Sequence, residues 1–330
     1  MASRLSLALD TGLLRLPDEG RIAVFGGEVG DTLDALPRDR TDVIQTDFPR
    51  HQALLRAGWH ALTAPAPSAS GPHAAALVIV PRSKDAAHAR IAAARALTDG
   101  PIIVDGQKTD GVEPLLRALR GRARVSDALS KAHGKLFVVE GGEFADWASR
   151  PLEVDGMVTR PGVFSADHVD PGSALLAAAL PGALSGRVAD LGAGWGWLAR
   201  AILAVPKVTE VHLVEADAVA LDCARESLAD PRARFHWDDV TTFRPHTPFD
   251  AVVTNPPFHD GRKGAPDIGR AFIRAAAGML QRHGTLWLVA NRHLPYEATL
   301  AEAFAEVQDV GGDARYKLFR AARPRTARRG

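Results

Sequence analysis

Short apolar segments alternate with alanine-rich, helix-forming segments along all 330 residues of this chain. Segments such as AALVIV and PIIVDG have the length and the β-branched content of buried strands. Between them, DAAHARIAAARAL has helical spacing. This alternation predicts a parallel, doubly wound α/β sheet, because each helix carries the chain back across a face of the sheet. Hydrophobic residues make up 46% of the sequence and charged residues 24%, which is enough for a packed core.

The alternation runs through the sequence twice, and the chain is longer than one ordinary domain. IAVFGGEVG in the first half corresponds to VADLGAGWG in the second, and AALVIVPRSK corresponds to DAVVTNPPFH. We therefore predict two domains, residues 1–150 and 151–330, connected through the segment 144–162. Phe25 is aligned with Asp190, so the first half keeps the strands and lacks the polar residues of the second.

Charge and cysteine content exclude several classes of protein. The net charge of +1 does not indicate a globally basic nucleic-acid binder, so RNA contacts would come from local patches such as the C-terminal FRAARPRTARRG, which is equally well explained as a solvated terminus. No apolar run approaches the ~20 residues of a membrane span, and the N-terminus does not resemble a signal peptide. The single cysteine, Cys223, excludes a disulfide framework and is predicted to be buried packing. We expect a cytoplasmic protein with no membrane contact and no metal.

A glycine-rich loop lies between a predicted strand and a predicted helix in VADLGAGWGWLARAI. Gly192, Gly194 and Gly196 allow a sharp turn and a close approach of the backbone to a ligand. Their spacing is G-x-G-x-G, which differs from the G-x-G-x-x-G of dinucleotide sites. Asp190 precedes the first glycine, and a carboxylate at this position suits a cation better than a phosphate.

Acidic residues follow the next two predicted strands. Glu215 ends EVHLVEAD and can accept hydrogen bonds from both hydroxyls of a ribose. Asp239, or its neighbour Asp238 in FHWDDV, can accept from an adenine amino group. Together with the loop at Asp190, these residues describe an adenosyl ligand that is positively charged and lacks phosphates. S-adenosylmethionine fits this description.

The segment TNPPFHDG, which begins at residue 254, ends an apolar run with two prolines. Pro256 and Pro257 cannot donate ladder hydrogen bonds, so the strand ends at the edge where open α/β sheets bind ligands. The Asn255 side chain and the Pro256 carbonyl are acceptors that suit an amino group with two N–H donors. Phe258 provides an apolar face on which a planar base or amide can stack. We interpret the segment as a site of N-methylation that requires neither a metal nor a covalent nucleophile.

On these motifs the second half resembles class I S-adenosylmethionine-dependent methyltransferases of the small-domain type. It is most similar to the bacterial 16S ribosomal RNA guanine-N2 methyltransferases, over most of residues 155–322. The matching segments are PGVFSADHVDPGSALLAAAL, TNPPFHDG and ANRHLPYEATLAEAF followed by ARYKLFRA. The resemblance implies an α/β fold with two tandem Rossmann-like methyltransferase domains, the N-terminal one degenerate and serving folding or RNA recognition, the C-terminal one catalytic.

The resemblance also implies an activity and the residues that carry it. A monomer would transfer a methyl group from S-adenosylmethionine to the N2 amine of a guanine in ribosomal RNA, with naked RNA or the 30S ribosomal subunit as its partner. The target amine would lie against Asn255, Pro256, Pro257 and Phe258. The cofactor would lie among Phe164, Asp190, Gly192, Gly194, Gly196, Glu215 and Asp239. Trp195 and Trp197 are bulkier than the loop residues that the family leads us to expect.

Other interpretations of the same motifs remain. A guanine-N2 methyltransferase of 23S ribosomal RNA shares the two-domain plan, and N-P-P-F also suits a glutamine-N5 methyltransferase of release factors, whose N-terminal domain is usually helical. DNA adenine methylation would need a target-recognition domain that is not visible here. A non-catalytic, methyltransferase-like RNA-binding protein would not require Asp190, Glu215 and Asn255. His259 and Asp260 are either bases or loop residues, and Lys317 is predicted to lie on the surface.

Overall fold

A computed structural model describes residues 3–30, 32–67, 71–180, 182, 184–257, 259–260, 263–264 and 266–325 of the chain. The chain divides into two compact units. The first contains residues 1–151 and 160–162, and the second contains residues 152–159 and 163–330. The segment 144–162, predicted to be a connection, therefore contributes residues to both units.

The first unit contains an eight-stranded sheet and helices on its faces. The strands are β1 (Ile22–Phe25), β2 (Thr41–Ile44), β3 (His60–Leu62), β4 (Ala75–Ile79), β5 (Ile102–Gln107), β6 (Arg124–Val125), β7 (Leu129–Lys131) and β8 (Gly134–Glu140). The helices are α1 (Arg4–Asp10), α2 (Phe48–Arg56), α3 (Lys84–Leu97) and α4 (Val112–Arg120). The strand order is β3-β2-β1-β4-β5-β8-β6, and β7 also pairs with β8.

The second unit contains a seven-stranded sheet and two short hairpins. The strands are β9 (Leu152–Val154), β10 (Met157–Thr159), β11 (Gly186–Leu191), β12 (Val208–Glu215), β13 (Ala233–Trp237), β14 (Phe249–Thr254), β15 (His259–Asp260), β16 (Lys263–Gly264), β17 (Leu280–Asn291), β18 (Phe304–Gly312) and β19 (Tyr316–Pro324). The helices are α5 (Pro171–Ala179), α6 (Trp197–Leu203), α7 (Ala218–Ser227), α8 (Pro266–Met279) and α9 (Glu297–Ala303). The sheet order is β13-β12-β11-β14-β17-β19-β18.

Both faces of the second sheet are buried, which explains why its central strands are continuous apolar runs. Along β11, Val188 belongs to the apolar cluster on one face and Ala189 to the cluster on the other. Along β14, Ala251 and Val252 are divided in the same way. This alternation is the period of two that a β-strand imposes on its side chains. Helices pack on both faces, so the C-terminal strand ends are where polar side chains can project.

Both sheets are mixed, whereas the sequence predicted parallel sheets. Strands β11 to β14 and β17 are parallel, but β19 pairs antiparallel with β17 and with β18. In the first unit β8 is antiparallel to β5 and β7. Only two residues separate β7 from β8, Ala132 and His133, both with positive φ, and such a short turn can join only antiparallel strands. The prediction is therefore correct for the inner strands and wrong for one end of each sheet.

The correspondence between the two units differs by one residue from the predicted one. The backbone N–H of Gly26, the first residue after β1, donates to the carbonyl of Ile44, as that of Gly192, the first residue after β11, donates to the carbonyl of Val214. Val24, rather than Phe25, therefore occupies the position that corresponds to Asp190.

The same correspondence places other residues of the first unit opposite the predicted site residues of the second. Gln45 is the first residue after β2, and Glu215 is the last residue of β12, so the two occupy corresponding positions. Gln45 is buried, and its Nε2 donates to the carbonyl of Gly27 at 2.6 Å. Arg90 of α3 donates from Nη1 to the carbonyl of Ile79 at 2.8 Å. A Cβ at Gly26 would lie 2.5 Å from this Nη1, so the Arg90 guanidinium fills the space beside the glycine turn.

Among the helices of the described ranges, none combines the length and the apolar character needed to cross a bilayer.

Candidate functional site

The glycine loop and the proline segment lie side by side because β11 and β14 are parallel neighbours. At their C-terminal ends the Thr254 hydroxyl donates to the carbonyl of Leu191 at 2.7 Å, in a buried position. One residue further along, a Cβ at Gly192 would lie 4.0 Å from Cδ of Pro257. The two motifs therefore face each other at the same edge of the sheet.

Each of the three loop glycines has a positive φ, but their surroundings differ. A Cβ on Gly194 would meet no atom within 4 Å, so this backbone faces open space. At Gly196 a Cβ would lie 2.9 Å from Cβ of Ala224 on α7. At Gly192 it would lie 3.2 Å from the Phe272 ring. Gly194 is thus the position where the backbone is open to a ligand, whereas Gly196 allows the start of α6 to pack on α7.

Asp190 is buried at the end of β11, with 1% of its surface exposed. Its Oδ2 atom has no hydrogen-bond partner. Burial, together with the nearby carboxylate of Glu215, raises the pKa of Asp190 to about 8. A buried carboxyl oxygen without a partner is costly, and a cationic ligand would offset that cost.

Glu215 ties the end of β12 to the glycine loop. Its Oε2 accepts from the backbone N–H of Gly194 at 2.7 Å, and its Oε1 accepts from the backbone N–H of Asp217 at 2.8 Å. Burial raises the pKa of Glu215, and the two backbone donors oppose that shift. The carboxylate therefore lies directly beside the open backbone at Gly194, at the end of the strand next to the one carrying Asp190.

The two acids after β13 are engaged locally. Asp239 Oδ1 accepts from the backbone N–H and the hydroxyl of Thr241, each at 2.8 Å. Asp238 Oδ1 accepts from the backbone N–H of Asp239 at 2.7 Å, and burial raises the pKa of Asp238. Asp238 and Asp239 follow β13, at the same edge of the sheet as the glycine loop. Neither residue lines the pocket beside that loop.

That pocket lies beside the glycine loop of the second unit. It is lined by Phe164, Ser165, Asp170, Ser173, Asp190, Gly192, Ala193, Gly194, Trp195, Trp197, Leu198 and Asn255. The structure thus brings together five predicted site residues, namely Phe164, Asp190, Gly192, Gly194 and Asn255. Five others lie outside the lining, namely Gly196, Glu215, Asp239, Pro256 and Pro257. Phe258 lies outside the described residues.

The two tryptophans of the loop are part of the pocket wall. Trp195 is buried, and its indole N–H donates to the carbonyl of Phe164 at 3.1 Å. The indole N–H of Trp197 donates to the carboxylate of Asp155, between β9 and β10, at 2.8 Å. Each indole is therefore anchored by a hydrogen bond, and Trp195 holds the segment that carries Phe164, whose side chain is 58% exposed.

Asn255 is held by two residues that the sequence analysis missed. Its Nδ2 donates to Oδ2 of Asp170 at 2.7 Å and to Oγ of Ser173 at 2.9 Å. Asp170 is the N-cap of α5 and is followed by Pro171 in the first turn. An Asp-Pro pair before an apolar helical segment is an N-terminal helix signal, so the cap was detectable in the sequence. Its contact with Asn255, 85 positions away, was not.

Two further sequence predictions concern Lys317 and Cys223. Lys317 was predicted to lie on the surface, and this is wrong: it is buried, ion-paired with Glu297. The pair lies where β19 runs beside the buried β17. Cys223 is buried in α7, as predicted. In the described part of the chain, no group of three or more His, Cys, Asp or Glu side chains is arranged to hold a metal ion.

The different surroundings of the loop glycines lead to a matched pair of substitutions. Gly196→Ala combines a φ of 85° with the 2.9 Å approach to Ala224, and we expect it to lower the free energy of unfolding by about 2–4 kcal/mol. Gly194→Ala has only the positive φ to accommodate and should cost about 1–2 kcal/mol. Urea titrations of both variants test this. Equal losses would contradict the assignment of Gly196 to packing.

Asp190→Asn should change how stability depends on pH. In the folded protein the pKa of Asp190 is raised to about 8 from an ordinary 3.8. Between these values the folded protein keeps a proton that the unfolded chain has lost, so stability falls as pH rises through this window. The variant lacks this titration and should become more stable than the parent from about pH 5 to about pH 8. Urea midpoints across this range measure the effect, and parallel pH profiles would show that Asp190 is ionised when no ligand is bound.

Comparison with known proteins places the chain among methyltransferases. Residues 156–320 match the methyltransferase small domain family. The chain is 32% identical over 243 residues to the ribosomal RNA small subunit methyltransferase C of Shewanella sp. (strain MR-7), covering 69% of this chain and 70% of the relative. The protein of the same name from Alcanivorax borkumensis is 41% identical over 172 residues, half of this chain and 51% of its own length. The structure is similar to that of the T. thermophilus 16S rRNA N2 G1207 methyltransferase in complex with AdoMet and guanosine, with a TM-score of 0.79, 27% identity, and coverage of 97% of this chain and 92% of that one.

Proposed function

The chain belongs to the methyltransferase small domain family, and from this membership we propose that it transfers a methyl group from S-adenosylmethionine to the N2 amine of a guanine in 16S ribosomal RNA. The observation that carries the proposal is the pocket that is lined both by Asp190, whose buried Oδ2 has no hydrogen-bond partner, and by Asn255. The substrate is that of the T. thermophilus structure, to which the chain is similar over nearly its full length.

The residues of the pocket fit a cationic adenosyl cofactor. Asp190 has an unpartnered oxygen and a raised pKa, and both would be relieved by a positive group. Gly194 leaves its backbone open to the ligand. We assign Glu215 to the ribose and Asp239 to the adenine, consistent with their places at the ends of successive strands. When bound, S-adenosylmethionine supplies an electrophilic methyl group on a sulfonium.

The chain's own contribution is to orient the amine. The Oδ1 atom of Asn255 and the carbonyl of Pro256 accept the two N–H donors of guanine N2, which directs the nitrogen lone pair away from them. Orientation of this kind supplies a large part of the rate of a transfer between two bound groups. Pro256 and Pro257 fix the backbone that carries both acceptors, and Phe258 provides the stacking face. The proton that the amine loses can pass to water.

We also propose that the first unit is a degenerate copy of the second that serves folding or RNA recognition. Both sheets have the same order of inner strands. In the first unit Val24 and Gln45 stand at the positions of Asp190 and Glu215, and the Arg90 side chain fills the space beside the glycine turn. The ribosomal RNA substrate supports action in the cytoplasm.

Radiolabelled methyl transfer to RNA from a strain lacking the enzyme tests the substrate. Labelled S-adenosylmethionine is supplied with naked 16S RNA, naked 23S RNA or 30S subunits, and the nucleosides are then separated. We expect N2-methylguanosine in 16S RNA. Asn255→Ala should lower turnover by about 100-fold while cofactor affinity is kept, because an orienting acceptor is lost. Label in N6-methyladenosine, in 23S RNA or only in protein would contradict the proposal.

Calorimetric titration tests the division of roles between the units. We expect one cofactor molecule to bind per chain. Asp190→Asn should weaken this binding by roughly 10- to 100-fold, the effect of losing a hydrogen bond to a charged group. Gln45→Ala, at the position of the first unit that corresponds to Glu215, should leave cofactor affinity unchanged. A stoichiometry of two, or a loss of affinity in the Gln45 variant, would show that the first unit also binds cofactor.

A further inference from the structure

The two hydrogens of the Asn255 amide are both donated within the protein. One contact is to Oδ2 of Asp170 at 2.7 Å, and the other is to Oγ of Ser173 at 2.9 Å. Since Nδ2 carries only two hydrogens, the amide has no donor left for a ligand. What remains on the Asn255 side chain is the acceptor Oδ1.

The alternative orientation of the amide is excluded by the same contact. An Asn side chain keeps nearly the same shape when its oxygen and nitrogen exchange places, so something must select one of the two orientations. A flipped Asn255 would direct Oδ1 at the Asp170 carboxylate, and two acceptors 2.7 Å apart repel each other. It would also present an NH₂ group to the substrate amine, giving a donor opposite a donor.

The Asp170 carboxylate is itself fixed by the start of α5. Its Oδ2 also accepts from the backbone N–H of Ser173 at 2.8 Å, the N-cap hydrogen bond of the helix. Gly172 lies between them, and a Cβ at this position would be 3.0 Å from the Tyr316 ring and 3.1 Å from Oδ2 of Asp170. The first turn of α5 is therefore packed closely against β19, which limits movement of the carboxylate.

From these contacts we propose that Asp170 is a positioning residue for methyl transfer: it selects the orientation in which Asn255 presents Oδ1 to the substrate amine, with Ser173 as the second anchor. The inference rests on the proposed role of Asn255 as acceptor of the amine. The anionic partner also polarises the amide, which strengthens Oδ1 as an acceptor. In this account Asp170, which also lines the pocket, acts on the reaction through Asn255.

The first test separates helix capping from amide orientation. Asp170→Ser keeps a good N-cap residue but is too short to reach Asn255. We expect kcat to fall by about tenfold or more, with cofactor affinity unchanged. The matched control is Asp47→Ser, at the N-cap of α2, which is also followed by a proline in its first turn; this variant should keep the parental kcat. An Asp170→Ser variant with parental kcat would overturn the inference.

The second test exploits charge. Asn255→Asp places a carboxylate against Asp170, and we expect a large loss of kcat. Asp170→Asn removes that repulsion, so it should lower kcat in the parent but raise it at least threefold in the Asn255→Asp background. Such a reversal of sign measures direct coupling of the two side chains, and a purely structural role of Asp170 would not produce it. Equal effects of Asp170→Asn in both backgrounds would overturn the inference.

Thermal melts and cofactor titrations of every variant establish that it folds and binds. Ser173→Ala, which leaves the carboxylate in place, gives a milder variant with an expected loss of kcat of about threefold.

The sign reversal can be measured on any amine that the parent methylates. A parent that methylates something other than guanine N2 therefore refutes the proposed function alone, whereas additive variants refute only the role of Asp170.

Discussion

The parallel pairing of β11 with β14 is the constraint on which the rest of the site depends. It places the ends of two strands that are far apart in sequence next to each other, and the hydrogen bond from Thr254 to the Leu191 carbonyl fixes their separation. The glycine loop continues from one strand and the proline segment from the other. A methyl donor and an amine acceptor can react only when their sites are neighbours, and this pairing makes the two proposed sites neighbours.

Around this edge the protein holds two arrangements, each of which suits one ligand. The carboxyl group of Asp190 is buried without a partner for Oδ2, and the pKa of Asp190 is raised accordingly. The Asn255 amide has donated both of its hydrogens to Asp170 and Ser173, leaving an acceptor directed elsewhere. The first arrangement favours a cation and the second favours an amine, so the two requirements of N-methylation are built into the protein before either ligand arrives. Preorganised groups of this kind need no rearrangement during the reaction.

Short-range signals in the sequence were enough to predict much of this arrangement. The glycines, the acids at the strand ends and the double proline each mark a strand end, because they conflict with continuing the strand. Long-range contacts were not predictable in the same way. Asp170 is recognisable as a helix cap, yet its bond to Asn255 depends on how α5 packs beside β14. Lys317 was expected on the surface because a single lysine gives no sign of its partner, Glu297.

The mixed sheets and the alignment of the two units were also not predictable from short-range signals in the sequence. Apolar runs identify strands but not their direction, so the antiparallel β8 and β19 were wrongly predicted to be parallel. Only the lengths of the turns distinguish an antiparallel strand from a parallel one. The displacement of the equivalent position from Phe25 to Val24 follows from the first backbone hydrogen bonds after β1 and after β11. The corrected alignment strengthens the contrast between the units, since an apolar Val24 lies where the second unit has its buried acid.

A crystal structure of the protein with S-adenosylhomocysteine and guanosine tests the central claim most directly. The account predicts that the base lies beside the glycine loop, with guanine N2 within about 3 Å of Oδ1 of Asn255, while Nδ2 stays bonded to Asp170. A base bound away from Asn255, or an amide turned so that Nδ2 faces the guanine, would contradict it.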